Sequence, residues 1–488
     1  MKSRETRLVI LLCILAGIRV LVFSAGFPFF NNVDEEVHYD VICKYAAGHF
    51  PARIERYGDE SAGIIAMYAS PEYYGDWYQI AASQPLWKLP YETIEGSYQR
   101  TREFIISKTN HESTQAPLYY IMAGGWYDLG KMLGLRGIGL LYWLRFLNIP
   151  MYMLLVWIGY LMTRKLYPNN RFLALGVPAM LVVFPQDVFY GLNSDVPAAL
   201  LATLSVYMLI TYLLDTKGMG FQMLSGLSVA AALLTKVTNI PLLAFAAVIL
   251  LMKKMGSRRK GEPRNRVPGL VPIVLAAAIP LVIWMLRNEF VLGEITGNHA
   301  KVVRMGWALK PLGQLFHHPI FIPSGATYFW SELMRTFWRG EIIWHQARMA
   351  SASADAFYVL TSLVFTLAAA ILVWKRKEER LAMGVNFLML GLSVGFLAGL
   401  SVIYDFHGCG YPSRELPFFT SGRLMLGALV PFVMLYVAGL GVVCDWLRIG
   451  RLRWVVLSLI LALALGSEVW ISRDVFASAY NFYHLLGS

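Results

Sequence analysis

Charge is scarce in this chain. Only 15% of its 488 residues are Asp, Glu, Lys or Arg, and 57% are hydrophobic; a soluble domain carries about 25% charged residues. That balance excludes an ordinary soluble fold and points to a membrane protein. Acids are scarcer than bases, 31 against 43, which leaves a formal net charge of +12. The bases fall in short loops between apolar runs, not in a patch interleaved with aromatics, so they orient the chain in a bilayer and argue against nucleic acid. Cysteine is sparse too. Cys13, Cys43, Cys409 and Cys444 form neither a CxxC pair nor a zinc spacing. Cys13 and Cys444 fall in apolar runs, while Cys43 and Cys409 fall on one side by charge, which leaves open whether they pair. Also missing are long low-complexity segments, internal repeats and a separable soluble domain.

What the chain has in abundance is long apolar runs, each near the 20 or so residues that a spanning helix needs. The expected spans are 8–29, 139–163, 172–190, 196–214, 222–236, 237–252, 267–290, 355–374, 382–404, 423–446 and 454–472, eleven in all. The expected fold is therefore all-α, a polytopic membrane protein with about eleven transmembrane helices in a single integral membrane domain, 1–488. The pair 222–236 and 237–252 is short and reads as a helical hairpin. The first run, Leu8 to Phe30, follows Lys2, Arg4 and Arg7 and is long for a signal peptide, so it reads as an uncleaved anchor.

Basic loops at Arg164–Arg171, Lys253–Arg266, Lys375–Arg380 and Arg448–Arg453 all fall inside if 117–133 lies along the outer surface instead of crossing. Three segments then stay outside: 30–138, 291–354 and 405–422. The start of the first, Glu35 to Phe50, reads as an interfacial amphipathic helix. This assigns the chain to the plasma (inner) membrane with any active site on the extracytoplasmic, periplasmic face.

Chemistry concentrates just past the first apolar run, in Asn31-Asn32-Val33-Asp34-Glu35-Glu36-Val37-His38-Tyr39-Asp40. A carboxylate there can act as general base toward a hydroxyl. Asp34 and Glu35 point in different directions, so one can react while the other orients a partner, and His38 shares a helical face with Asp34. The same cluster would suit a divalent cation, and metal use stays open. Asp195 stands at the outer end of a span, as a helix cap or a second acid. Lys236 lies between two apolar segments, where a lysine is costly unless paired or hydrated. Arg287, Arg414 with Glu415, and Arg423 also sit at outer ends or in the outer loop. Arginine matches phosphate geometry, and a base among several cations suits a lipid-linked phosphate as leaving group.

The order of short motifs resembles the GT-C superfamily of membrane glycosyltransferases. It is similar to the protein O-mannosyltransferases, the lipid A aminoarabinose transferase and a related uncharacterised bacterial membrane family. The matching pieces are Val33-Asp34-Glu35-Glu36-Val37-His38-Tyr39, Gln115-Ala116-Pro117-Leu118-Tyr119-Tyr120, Leu144-Arg145-Phe146-Leu147, Asn193-Ser194-Asp195, Leu234-Thr235-Lys236 and Ser421-Gly422-Arg423-Leu424. Ala116 and Leu424 depart from the family pattern, where a proline and a tyrosine are usual. The resemblance implies Asp34 as base, Asp195 as supporting acid, Lys236 and Arg423 on donor phosphate or acceptor, and Tyr119 as a substrate contact. It also implies an inverting transfer from a polyprenyl-phosphate sugar to a glycan, lipid or protein acceptor. The competing expectation is a transporter or flippase of a lipid-linked or anionic molecule, suggested by the short hairpin. Against it stand the absence of an inverted repeat and the gathering of charge at one mouth.

Overall fold

The computed structural model describes residues 2–30, 34–74, 84–215, 217–259, 270–345, 347–375, 379–407 and 411–484. Cys409 lies outside the described residues, and so do Asn31, Asn32 and Val33; Cys43 is a free thiol. The fold is all-α. Apolar helices α1 (Lys2–Gly26), α8 (Asn148–Leu166), α9 (Arg171–Val182), α10 (Asp195–Leu214), α11 (Met219–Thr235), α12 (Pro241–Arg259), α13 (Leu270–Leu292), α17 (Ala352–Lys375), α18 (Arg380–Ile403), α19 (Leu429–Trp446) and α20 (Arg453–Phe476) form a bundle. Nine helical stretches among the described residues are long and apolar enough to cross a membrane; α9 and α11 are apolar but shorter. The chain is thus a multi-pass membrane protein.

The span expected at 172–190 is corrected. Helix α9 stops at Val182, and a buried irregular segment follows up to a 3-10 turn at Asp187–Tyr190. Pro185 offers no N–H and disfavours helix in the residue before it. Buried backbone outside a helix must find its hydrogen bonds in other protein groups. Here Arg19 donates to the carbonyls of Val182 (3.0 Å) and Phe184 (2.7 Å), and Asn148 to those of Phe189 (3.2 Å) and Gly191 (2.8 Å). The guanidinium of Arg19 is in turn held by Glu468 on α20 at 2.9 and 2.6 Å.

A second layer covers one end of the bundle. It contains α2 (Glu35–Ala46), α3 (Asp59–Tyr68), α4 (Pro71–Tyr74), α5 (Tyr91–Ser107), α6 (Leu118–Met132) and α7 (Gly137–Arg145). Phe29, Phe30, Val37, Tyr39, Ile42, Ile65, Tyr120, Tyr127 and Leu141 give this layer its own apolar core. Seven of the first eight residues of α2 are buried, Glu36 being the exception, because α6 and α3 pack on it. The expectation of a helix lying on lipid is therefore corrected: α2 is an internal helix of the layer. Helix α6, the segment expected not to cross, has 15 residues and includes Asp128 and Lys131.

The remaining helices, α14 (His299–Arg304), α15 (Leu312–Leu315) and α16 (Pro323–Arg339), connect α13 to α17. Short strand pairs tie the loops together. β1 (Glu55–Arg56) is antiparallel to β2 (Thr109–Asn110), and β4 (Ile343–Trp344) to β5 (Ala347–Arg348). β3 (Trp307–Leu309) is antiparallel to β6 (Tyr404–Phe406).

Candidate functional site

Asp34 precedes α2 in the left-handed region, with φ 63° and ψ 17°. Asp tolerates this conformation better than most residues, yet such backbone is sparsely populated and gathers at functional sites. An Asp before a helix normally caps it. Here the side chain makes no capping bond. It turns instead to Arg423, whose Nη2 donates to Asp34 Oδ2 at 2.6 Å, and to His111, whose Nε2 is 3.6 Å from Oδ1.

Arg423 comes from a 3-10 turn, Gly422–Ala428, that leads into α19. The turn packs on α16 so closely that a Cβ at Gly422 would lie 2.1 Å from the backbone nitrogen of Phe337. Only glycine fits there, and this fixes where the guanidinium can reach. Arg423 Nη1 is 3.8 Å from Asp195 Oδ2, and Nε is 3.9 Å from Glu341 Oε2. Asp195 opens α10, and its Oδ1 accepts a bond from Lys236 Nζ, which sits in the break between α11 and α12. One arginine therefore faces three carboxylates, with a lysine one acid away. Among the described residues, the Nε–H of Arg423 and Oδ2 of Asp195 are buried without a hydrogen-bond partner. Buried polar atoms rarely stay unpaired without cause. A ligand carrying both acceptors and donors would complete them.

On the other side of Asp34, His111, Glu112 and Lys301 extend the cluster. Glu112 pairs with Lys301 Nζ on α14 and lies 3.6 Å from His111. Burial alone would raise the pKa of both acids, but neighbouring cations override it. Arg423 and His111 hold Asp34 well below its usual value, and Lys301 brings Glu112 down to about 2. Burial pushes His38 down to about 4, so its ring is neutral and hydrogen-bonds the Tyr120 hydroxyl at 2.9 Å. Ligand atoms of Asp34, His111 and Glu112 all lie within 4.8 Å of one another. Two carboxylates and an imidazole suit a divalent cation, although Arg423 and Lys301 already answer both acids. His38, expected in this role, is not part of the group.

Glu35, expected beside Asp34 in the site, is buried in the fold. It has no exposure and binds Arg145, also fully buried, at 2.8 and 2.7 Å. Its carboxylate also accepts the N–H groups of Phe30 and Leu192 at 2.8 and 2.9 Å. Arg145 ties this pair to the end of α1 through the carbonyls of Ser24 and Pro28. Arg287 spends its guanidinium on the Pro51 carbonyl at 2.6 Å and on Asn288. Arg414 pairs with Asp405 at 3.2 Å on an exposed loop, and Glu415 is exposed beside it. None of these three reaches Arg423. Tyr119 is buried with its ring 5.8 Å from that of His38, behind the acids.

Asp187 borders the site. Its Oδ2 accepts the N–H groups of Glu341 (2.7 Å) and Ile342 (2.9 Å). The carboxylate lies against Gly340, at φ 86°, where a Cβ would come within 2.0 Å of Oδ1. Burial pushes Asp187 up to about 7. An acid whose folded value is raised holds its proton longer in the native state. Stability is then lost as pH climbs from near 4 to near 7. Asp187→Asn mimics the protonated form and should raise the thermal midpoint by several degrees at pH 8 but not at pH 4. Equal shifts at both values would refute the burial effect.

No curated protein matches the sequence. Among solved structures, the archaeal oligosaccharyltransferase of Archaeoglobus fulgidus is similar along the length of this chain. Its complex with zinc and sulfate gives a TM-score of 0.42 at 12% identity, over 95% of this chain and 53% of that one. The same enzyme, AglB, with an inhibitory peptide and a dolichol-phosphate gives 0.46 at 12% identity, over 98% and 56%. The chain thus spans about half the length of that enzyme, and the likeness is loose. A family model matches far more directly, over residues 15–404, a stretch that holds Asp34, Glu112, Asp195, Lys236 and Glu341 and ends before Arg423. The chain belongs to the family described as predicted membrane protein (DUF2142).

Proposed function

We propose that the chain is a membrane glycosyltransferase that moves a sugar from a polyprenyl-phosphate donor to an acceptor hydroxyl or amine, with inversion. The observation that carries this reading is the convergence of Asp34, Asp195 and Lys236 on Arg423, whose buried Nε–H lacks an acceptor. An arginine N–H of this kind bonds anionic oxygens with charge-assisted strength. The order of motifs from Asp34 to Arg423 supports the same reading, and the distribution of Lys and Arg supports an extracytoplasmic site in the inner membrane.

In this reading the donor phosphodiester takes the Arg423 Nε–H and draws on Lys236. Its approach competes with Asp34 for the guanidinium. Asp34, left ionised, accepts the acceptor's O–H or N–H proton as the oxygen or nitrogen attacks the anomeric carbon. The bond from that carbon to the phosphate oxygen breaks with its electron pair. The phosphate passes from one negative charge to nearly two, and the fixed cations answer the extra charge where it develops.

Release of free polyprenyl phosphate from purified protein tests the reading; a transporter would move the lipid intact. Lys236→Ala should weaken donor binding about tenfold or more, the scale of a lost charge-assisted hydrogen bond. Equilibrium binding of polyprenyl phosphate measures it, and unchanged affinity would remove Lys236 from the donor site.

A further inference from the structure

Glu341 has no part in the steps above, yet it lies at their centre. It follows α16 and is held by its own N–H on Asp187. Its Oε2 accepts the Ser421 hydroxyl at 2.5 Å and is 3.9 Å from Arg423 Nε. Its side chain keeps 13% of its surface exposed. Its charge opposes a phosphate on that N–H and gives the phosphate no bond; what the carboxylate can hold is a hydrogen-bond donor next to the phosphate. It does lie within one sugar ring of the guanidinium that the phosphate would take. Around it stand further polar groups. Arg348 and Tyr411 feel the Glu341 charge, and the Tyr411 hydroxyl bonds Thr420 at 2.6 Å.

Asp34 and Asp195 already have partners and roles: one touches the acceptor, the other fixes Lys236. A third acid beside Arg423, with Arg348 already ion-paired to Glu332, leaves that face of the site rich in acceptors. Burial raises the pKa of Glu341, Arg423 working against it, so a group that donates hydrogen bonds to the carboxylate is welcome there.

The geometry points to Glu341, with Ser421, as the subsite that selects the transferred sugar: it takes a ring that presents hydroxyl or amino donors and rejects one that presents a carboxylate. This rests on the donor reading above. A carboxylate accepts from two adjacent hydroxyls, or pairs with an ammonium, with charge-assisted strength. A uronic acid brought to the same place would set two carboxylates together, and like-charge juxtaposition is a strong device for refusing a ligand.

The alternative role, that Glu341 only orients Arg423, predicts a different outcome, so binding of three probes to detergent-purified protein decides. The probes are bare polyprenyl phosphate, polyprenyl-phosphate glucose and polyprenyl-phosphate glucuronate. Wild type should hold the glucose-bearing carrier about tenfold tighter than the bare one, and the glucuronate-bearing carrier no tighter than the bare one. Glu341→Gln should bring the glucose-bearing and glucuronate-bearing carriers to within about twofold of the bare one, while the bare carrier itself binds no more weakly than to wild type because a neighbouring negative charge is gone. Ser421→Ala, which keeps the carboxylate, should lose part of the glucose gain and serves if Glu341→Gln folds poorly. An equal loss for all three probes in Glu341→Gln would make Glu341 a support for Arg423 and overturn the proposal. So would a glucose gain that survives in both variants, or its absence in wild type. Failure of the bare carrier to bind wild type would sink the donor reading as well.

Discussion

Asp34→Asn should abolish glycosyl transfer while leaving the protein folded. General-base catalysis is worth about 10²–10⁴-fold, and Asn keeps the shape of the side chain without its capacity to take a proton. The fold should tolerate the change because Arg423 still faces Asp195 and Glu341. Asp34 also keeps part of its surface exposed, 24% of the side chain, and makes no capping bond to α2. Release of polyprenyl phosphate and the thermal midpoint, measured on one preparation, check both halves. Turnover like wild type from Asp34→Asn would end its role as base. A collapse of the midpoint would make the Asp34–Arg423 pair a structural tie.

Glu35→Ala, one residue away, should do the reverse. It strips the partner from Arg145 in a site where neither side chain has any exposure. Breaking a buried pair by removing one member costs about 3–5 kcal/mol, because the other charge stays buried and unanswered. A domain is stable by only about 5–15 kcal/mol, so folded yield should fall steeply. The damage should reach further than one pair, since Glu35 also receives the N–H groups of Phe30 and Leu192, and Arg145 holds carbonyls at the end of α1. Glu35→Ala combined with Arg145→Ala should lose much less than the sum of the two single changes, as coupled neighbours do. Folded yield in detergent, followed by size-exclusion chromatography, measures all three. A normal yield of Glu35→Ala with lost turnover would return Glu35 to the chemistry.

In these neighbours local sequence and tertiary packing part ways. Successive residues at a helix start diverge by about 100°, so Asp34 and Glu35 had to face different surroundings. Which faced Arg423 and which faced Arg145 depends on partners 389 and 110 positions away. His111, Glu112, Lys301 and Glu341 were not singled out at all. His111-Glu112 lies in the polar run that precedes Gln115-Ala116-Pro117, and that position was its only local signal. Lys301 and Glu341 fall among ordinary interfacial residues of 291–354. Arg287 and Arg414 look equivalent to Arg423 in sequence, yet each is taken up elsewhere, by the distant Pro51 carbonyl and by nearby Asp405.

The amino-acid sequence by itself determined the solvent this protein lives in, its all-helical character and most of its long helices, because a bilayer filters for apolar length and little else. It also marked Asp34, Asp195, Lys236 and Arg423, along with Glu35, Arg287, Arg414 and Glu415, which lie elsewhere, since charge beside apolar runs is costly enough to be conspicuous. Only the tertiary structure decided the rest. It ended α9 at Val182 ahead of a buried irregular segment, turned α2 inward, and set Glu35 on Arg145 but Asp34, Asp195 and Glu341 around Arg423. Helix period is written locally, whereas the partner of a charge is chosen by packing across the whole chain.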